Sequence, residues 1–223
     1  MFAQVNGIQL YYEKRGEGRP IVMVHGNSED HTIFDRASVS LSARYACYCL
    51  DSRCHGQSEN TPELHYTDMA DDVIAFLEAL DLRDVVFYGL SDGGIIGLMA
   101  ASRCDRISTL IVSGSNTAPG AVKGWLKALV RVIYIFTGDK KMRLILTEPH
   151  ITDEELGKIR ARTLVLAGSG DVIPEEETRH IAAAIPGAEL KILPKEGHTS
   201  YVVHSLKIAE LIRSFLKAEN QTE

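Results

Sequence analysis

The chain has 223 residues, of which 45% are hydrophobic and 24% are charged, so it holds enough apolar material for one sizeable core. A formal net charge of -6 and a pI near 5.8 argue against a nucleic-acid-binding protein, which usually presents a basic face. The first residues lack the pattern of a secretion signal, and no stretch has membrane-spanning length. We therefore expect one cytoplasmic domain without a nucleic-acid or membrane partner.

The order of apolar runs and amphipathic stretches predicts an α/β protein. Two β-prone runs, residues 2–5 and 8–12, flank Asn6-Gly7, a dipeptide typical of hairpin turns, and so predict an antiparallel hairpin. Further strands, mostly continuous apolar runs as in a buried parallel sheet, are predicted at residues 21–24, 45–50, 85–88, 107–112, 163–167 and 190–193. Helices are predicted at residues 32–43, 69–80, 95–101, 174–184 and 201–216.

A long segment, residues 114–162, separates two of the predicted strands. It is too long for an irregular connection, and its residues 125–136, 141–146 and 154–159 have the composition of helices. We interpret it as a small helical cap, inserted at about residues 115–160 of a single domain that covers residues 1–223.

The pentapeptide Gly89-Leu90-Ser91-Asp92-Gly93 lies between a predicted strand and a predicted helix. Small residues two positions before and after the serine are needed there, because strand and helix nearly collide. The pattern is typical of a nucleophile elbow, in which the serine has strained backbone geometry and an exposed hydroxyl. The next helix would direct its free amides at an anion formed on Ser91. The alternative is an ordinary glycine-rich turn with an idle serine.

A nucleophilic serine needs a base within hydrogen-bond reach, and a third group must orient that base. His198 follows the last predicted strand and Asp171 follows the strand before it, so both can reach the sheet edge that carries Ser91. The order serine, acid, histidine is that of α/β-hydrolase sheets. No carboxylate follows the strand at residues 107–112, which removes the main rival for the acid. The alternative for Asp171 is a loop residue near a helix start.

These motifs together resemble an α/β-hydrolase of the esterase, aminopeptidase and C-C hydrolase group. The resemblance implies an α/β-hydrolase fold: a mostly parallel sheet with an N-terminal antiparallel hairpin, helices on both faces and a small helical cap. It also implies a triad of Ser91, Asp171 and His198, with an oxyanion hole formed by the backbone amides of Asn27 and Asp92. The motifs span nearly the whole chain except the cap: His25-Gly26-Asn27, residues 51–58, the serine pentapeptide, residues 168–171 and Gly197-His198.

One position departs from the family pattern. Cys54 stands where the family usually has glycine, so the turn there either has a different shape or does not require glycine. His25 is expected to pack under the oxyanion loop and His55 to hold its own turn. The other histidines outside the triad are expected on the surface or in loops: His31, His65, His150, His180 and His204. No His-Glu-x-x-His sequence and no phosphate-binding loop is present, so we expect neither a metal nor a cofactor.

The sequence therefore predicts a cofactor-independent serine hydrolase with a small-molecule substrate. We expect a carboxylesterase that acts on small or medium acyl groups through an acyl-enzyme. Thioesterase, amidase or aminopeptidase, and C-C hydrolase activities would use the same residues and stay open. A non-catalytic small-molecule receptor is the alternative of another class. The Asp92 carboxylate either faces the pocket and favours cationic substrates, or points away and leaves only its amide in use.

Overall fold

The computed structural model describes residues 1–219, which fold around one eight-stranded sheet. The strands are β1 (Phe2–Val5), β2 (Ile8–Arg15), β3 (Arg19–Val24), β4 (Tyr45–Leu50), β5 (Val85–Leu90), β6 (Ile107–Ser113), β7 (Arg162–Gly168) and β8 (Glu189–Leu193). The helices are α1 (Asp35–Leu41), α2 (Tyr66–Ala79), α3 (Asp92–Ala101), α4 (Gly124–Thr137), α5 (Lys140–Thr147), α6 (Asp153–Leu156), α7 (Glu175–Ala184) and α8 (Lys207–Glu219). A short 3₁₀ helix (His31–Phe34) precedes α1.

The strand order is β1-β2-β4-β3-β5-β6-β7-β8. Strand β2 pairs antiparallel with both β1 and β4, and every other neighbouring pair is parallel. This arrangement confirms the predicted hairpin and the mostly parallel sheet. Because β3, β5, β7 and β8 run in the same direction, the loops that follow them meet at one edge of the sheet.

Helices cover both faces of the sheet and form two cores. On β3, Val22 belongs to the core that includes Phe76 of α2, whereas its neighbour Ile21 belongs to the core that includes Ile212 of α8. Successive strand residues point to opposite faces, so a strand buried on both sides needs the continuous apolar runs seen in the sequence. Full burial of such a side chain contributes about 1.5–3 kcal/mol.

The last helix begins later than the sequence predicts. Residues 201–204 form turns instead of helix, and α8 begins at Lys207. His204 has a φ of 48°, which lies in the left-handed region, and its N–H donates to the Ile33 carbonyl at 2.9 Å. The predicted start at residue 201 is therefore wrong, because a contact distant in sequence interrupts the helical pattern before Lys207.

The segment between β6 and β7 contains α4, α5 and α6. Helices α4 and α5 agree with the predicted helices. Helix α6 is shorter than the predicted one, and a capping box formed by Thr152 and Glu155 stabilises its N-terminus. Within residues 1–219, no helix is long and apolar enough to cross a membrane.

Candidate active site

Ser91 lies at a sharp turn between β5 and α3. Its backbone has φ 52° and ψ -114°, a conformation that costs on the order of 1–3 kcal/mol for a residue other than glycine. A Cβ at Gly89 would overlap the Gly93 carbonyl, and a Cβ at Gly93 would overlap the Val24 carbonyl. The turn is further held by a bond of 2.7 Å from Ser91 N–H to the Ser113 carbonyl. The glycine spacing in the sequence thus meets a steric requirement of this turn.

Asp171 and His198 are joined by a hydrogen bond of 2.6 Å between Oδ1 and Nδ1. The Asp171 side chain is buried, and it also accepts the Ile173 N–H at 2.9 Å. Burial raises the pKa of Asp171, but the bonds from His198 and Ile173 outweigh burial, so the pKa lies below its ordinary value. An ionised carboxylate only accepts, so His198 Nδ1 donates and Nε2 is left as the basic nitrogen.

Ser91 and His198 line one cavity of about 280 Å³. No hydrogen bond joins Ser91 Oγ to the His198 ring within residues 1–219. Catalytic hydrogen bonds are often long before substrate is present, so a shared cavity is the relevant observation. The cavity walls include Val122, Leu126 and Ile145, which come from α4, α5 and the residues before them.

Asn27 and Asp92 also line this cavity. Asn27 follows β3, and Asp92 is the first residue of α3, where a backbone N–H has no partner within the helix. Among residues 1–219, neither backbone N–H is engaged in a hydrogen bond. Two free amide donors therefore lie in the cavity that holds the serine hydroxyl.

Both carboxylate oxygens of Asp92 accept hydrogen bonds. One oxygen accepts the Asn27 side-chain amide at 2.9 Å, and the other accepts the Tyr66 hydroxyl at 2.7 Å. Burial raises the pKa of Asp92, although the bonds from Tyr66 and Asn27 oppose that rise. Asn27 also donates to the Lys141 carbonyl of α5 at 3.2 Å. The carboxylate thus ties the loop after β3 to α2 and α3, a role that the sequence did not indicate.

A sequence model of the alpha/beta hydrolase family matches residues 21–150, more than half of the chain. The chain belongs to the alpha/beta hydrolase family.

Two relatives and one solved structure illustrate the likeness. The AB hydrolase superfamily protein YisY of Bacillus subtilis is 26% identical, over 93% of this chain and 95% of its own length. A pimeloyl-[acyl-carrier protein] methyl ester esterase of Aliivibrio salmonicida is 30% identical, over 69% of this chain and 58% of its own length. The esterase EaEST of Exiguobacterium antarcticum superposes with a TM-score of 0.85 at 23% identity, covering 97% of this chain and 99% of that one, which shows the fold. The chain is thus a hydrolase.

Two further carboxylates line the cavity of this hydrolase, and sequence reasoning missed both. Glu29 accepts the Gly26 N–H at 2.9 Å, and burial raises its pKa while this bond opposes the rise. Glu148 accepts from His65 Nδ1 at 2.5 Å and from the Tyr66 N–H at 3.0 Å. The only signal for Glu29 was its place two residues after Asn27. Among the residues that line the cavity there is no lysine or arginine, and three of them are acids: Glu29, Asp92 and Glu148.

Cys54 keeps the backbone conformation that favours glycine. Its φ is 65°, and its buried thiol accepts the Thr61 N–H at 3.3 Å. Burial raises the pKa of this thiol, but hydrogen bonds with Thr61 and the neighbouring Lys140 outweigh burial and lower it. The residue at the position where glycine was expected therefore has a left-handed backbone conformation, and its side chain is hydrogen-bonded within the turn.

His31 is neither at the surface nor in a loop but is the buried first residue of the 3₁₀ helix, which corrects the expectation from the sequence. It is buried, and its ring Nδ1 lies 2.8 Å from Asp51 Oδ1, which also accepts the His31 N–H at 2.7 Å. Asp30, His31 and Asp51 bring possible metal-binding atoms within 4.8 Å of one another. Asp51 also accepts the Gln57 N–H at 2.8 Å, and Asp30 accepts the Thr32 N–H at 2.9 Å. Loop hydrogen bonds therefore account for this cluster.

Proposed function

We propose that this alpha/beta hydrolase is a serine carboxylesterase with Ser91 as nucleophile, His198 as general base and Asp171 as the group that orients His198. The observation that carries the proposal is the shared cavity: a strained serine, a carboxylate-bound histidine and two free backbone amides face the same space. A receptor would need none of these three features together. We also propose that residues 115–160 are a cap within a single domain.

In the proposed reaction, Ser91 Oγ attacks the ester carbonyl carbon and passes its proton to His198 Nε2. The ionised Asp171 stabilises the resulting imidazolium through its bond of 2.6 Å to Nδ1. The backbone amides of Asn27 and Asp92 bind the oxyanion, at roughly 3 kcal/mol of transition-state stabilisation for each donor. His198 then protonates the departing alkoxide, which leaves as the alcohol. Water, deprotonated by His198, attacks the acyl-enzyme and releases the acid and free Ser91.

The cavity supports small or medium acyl groups without a negative charge. Its volume of about 280 Å³ and the apolar walls at Val122, Leu126 and Ile145 suit a short hydrocarbon chain. The carboxylates of Glu29 and Glu148 in the cavity lining would repel an anionic group and attract a cationic one. That acidity also favours a second candidate, an amidase or aminopeptidase that binds a free amine, with the same catalytic residues.

Steady-state kinetics on a panel of chromogenic esters and aminoacyl amides tests the proposal. The panel varies acyl length and carries neutral, cationic and anionic members. Ser91→Ala and His198→Gln should each lower kcat by at least about 10⁴-fold, and Asp171→Asn should lower it less, because it orients rather than transfers the proton. Ser102→Ala and His204→Gln, which lie outside the cavity, serve as matched controls. Turnover by Ser91→Ala near the wild-type rate would contradict the assignment.

A further inference from the structure

Helix α4 presents an apolar face to solvent. With about 3.6 residues per turn, its residues 125, 129, 132 and 136 fall on one side, and Val130, roughly 130° around the helix axis from the middle of that side, is buried. Trp125 is 61% exposed and Phe136 is 84% exposed. The exposed apolar side chains of the helix are Trp125, Leu129, Val132, Ile133, Ile135 and Phe136, which we call the α4 face.

The α4 face is large for a surface that stays in water. If each large side chain offers about 200 Å², the exposed fractions leave about 700 Å² of apolar surface uncovered. The largest apolar patch on an ordinary monomer is about 300–600 Å², and larger patches mark docking sites for proteins or membranes. Its size therefore indicates that the α4 face is the contact site for an occupant, either another protein or a membrane.

The charges around the α4 face identify that occupant. Helix α4 carries two cations, Lys127 and Arg131, and no acid, in a chain whose net charge is -6. Lys127 and Arg131 lie along one flank of the face, and neither is in an ion pair within residues 1–219. A helix with aromatic and aliphatic side chains on one side and free cations beside them has the composition of an interfacial helix that binds anionic lipids.

We propose that the α4 face docks this protein on an anionic lipid surface. Apolar side chains enter the acyl boundary, and Lys127 and Arg131 contact the headgroups. A second copy of the chain fits less well, because pairing two α4 faces would bring these cations close to their equivalents. The proposal departs from the expectation of no membrane partner, which rested on the absence of a spanning segment. It holds whether or not the proposed ester chemistry is right.

Docking would also place the cavity close to lipid. Leu126 of α4 lines the cavity, so the helix that carries the α4 face also forms part of the cavity wall.

The only tryptophan of the chain, Trp125, makes the proposal directly measurable. The protein is mixed with vesicles of phosphatidylcholine containing one third phosphatidylglycerol, and with vesicles of phosphatidylcholine alone. We expect co-sedimentation with the anionic vesicles, a blue shift of Trp125 emission and quenching by brominated acyl chains, all weakened by salt. No blue shift and no co-sedimentation with anionic vesicles would overturn the proposal.

Two pairs of variants separate the apolar and charged contributions. Leu129→Ser with Phe136→Ser should weaken partitioning by more than about tenfold. Lys127→Gln with Arg131→Gln should weaken it about 30-fold, from about 1 kcal/mol for each cation near the surface.

The matched controls are Val39→Ser with Leu206→Ser, which remove exposed apolar side chains elsewhere, and Lys191→Gln with Lys217→Gln. Equal losses in the controls would overturn the proposal. A dimer in the absence of lipid, detected by sedimentation velocity, would also overturn it if the dimer shields Trp125 from acrylamide and if Leu129→Ser with Phe136→Ser dissociates it.

Discussion

Asp92 offers the sharpest test of how the cavity is built, because its side chain and its backbone amide have separate tasks. The carboxylate accepts from Asn27 at 2.9 Å and from Tyr66 at 2.7 Å, and so holds the loop that presents the Asn27 amide. Asp92→Ala keeps the Asp92 backbone amide but removes both acceptors. We expect Asp92 to act as a positioning residue for the amide of Asn27.

The size of the effect follows from these two bonds. Asp92→Ala leaves the buried Tyr66 hydroxyl without an acceptor, which lowers the free energy of unfolding by about 1–3 kcal/mol. It also frees the Asn27 loop, and a misplacement of about 1 Å in a catalytic donor lowers turnover about 10²-fold. We therefore expect kcat for a neutral ester to fall about 10²-fold, with KM changing much less.

Asp92→Asn is the matched control. Its side-chain oxygen can accept from Asn27 while its amide donates to the Tyr66 oxygen, so the loop stays in place. Because burial raises the pKa of Asp92, loss of the charge should not lower stability, and kcat should stay within about threefold of wild type. Kinetics and urea unfolding of both variants check this. Wild-type kcat in Asp92→Ala, or equal losses in both variants, would refute the positioning role.

Three further predictions concern stability. In the wild type, the buried Arg53 donates two hydrogen bonds to Asp72, of 2.6 and 2.7 Å. Asp72→Ala leaves Arg53 without this partner and should lower the free energy of unfolding by about 3–5 kcal/mol. A loss below about 1 kcal/mol in urea unfolding would count against this. Burial raises the pKa of Glu29, so the folded state binds this proton more tightly than the unfolded state does. The resulting stabilisation of the fold is present below about pH 4.5 and is lost as the pH rises through the folded-state pKa. Glu29→Gln should therefore gain stability over wild type at about pH 8 and lose that gain towards about pH 4.5, and the reverse trend in unfolding measurements would contradict the burial argument. Cys54 has a φ of 65°, which a β-branched residue adopts poorly and glycine adopts readily. Cys54→Val should therefore destabilise the protein by at least about 2 kcal/mol, and Cys54→Gly should change its stability by less than about 1 kcal/mol. Equal thermal unfolding of both variants would show that the left-handed backbone is not the constraint.

Most of the sheet could be predicted from the sequence, because its determinants are local. Continuous apolar runs mark strands buried on two faces, and Asn6-Gly7 marks the hairpin. The turn at Ser91 was predictable for a steric reason, since a Cβ at position 89 would overlap the Gly93 carbonyl of α3 and a Cβ at position 93 would overlap the Val24 carbonyl of β3. Parallel strand order then brings the loops that carry Asp171 and His198 to the same edge, where His198 lines the same cavity as Ser91 and is bonded to Asp171.

The features that could not be predicted depend on contacts between distant segments. The pairing of His31 with Asp51 joins the 3₁₀ helix to a loop 20 residues away, and neither segment alone indicates it. The direction of the Asp92 side chain depends on Tyr66 and Asn27, which belong to other elements. Binary patterning also placed the start of the last helix too early, because the left-handed His204 is set by its bond to a distant carbonyl.

Covalent labelling of Ser91 tests the central claim most directly. A fluorophosphonate reacts with a serine only when the hydroxyl is activated: Oγ attacks phosphorus, fluoride leaves, and the base takes the proton. We expect one adduct per chain, which peptide mass spectrometry maps to Ser91, no adduct in Ser91→Ala, and much slower labelling in His198→Gln. An unmodified wild-type protein, or an adduct on another residue that persists in Ser91→Ala, would contradict the assignment of Ser91 as the nucleophile.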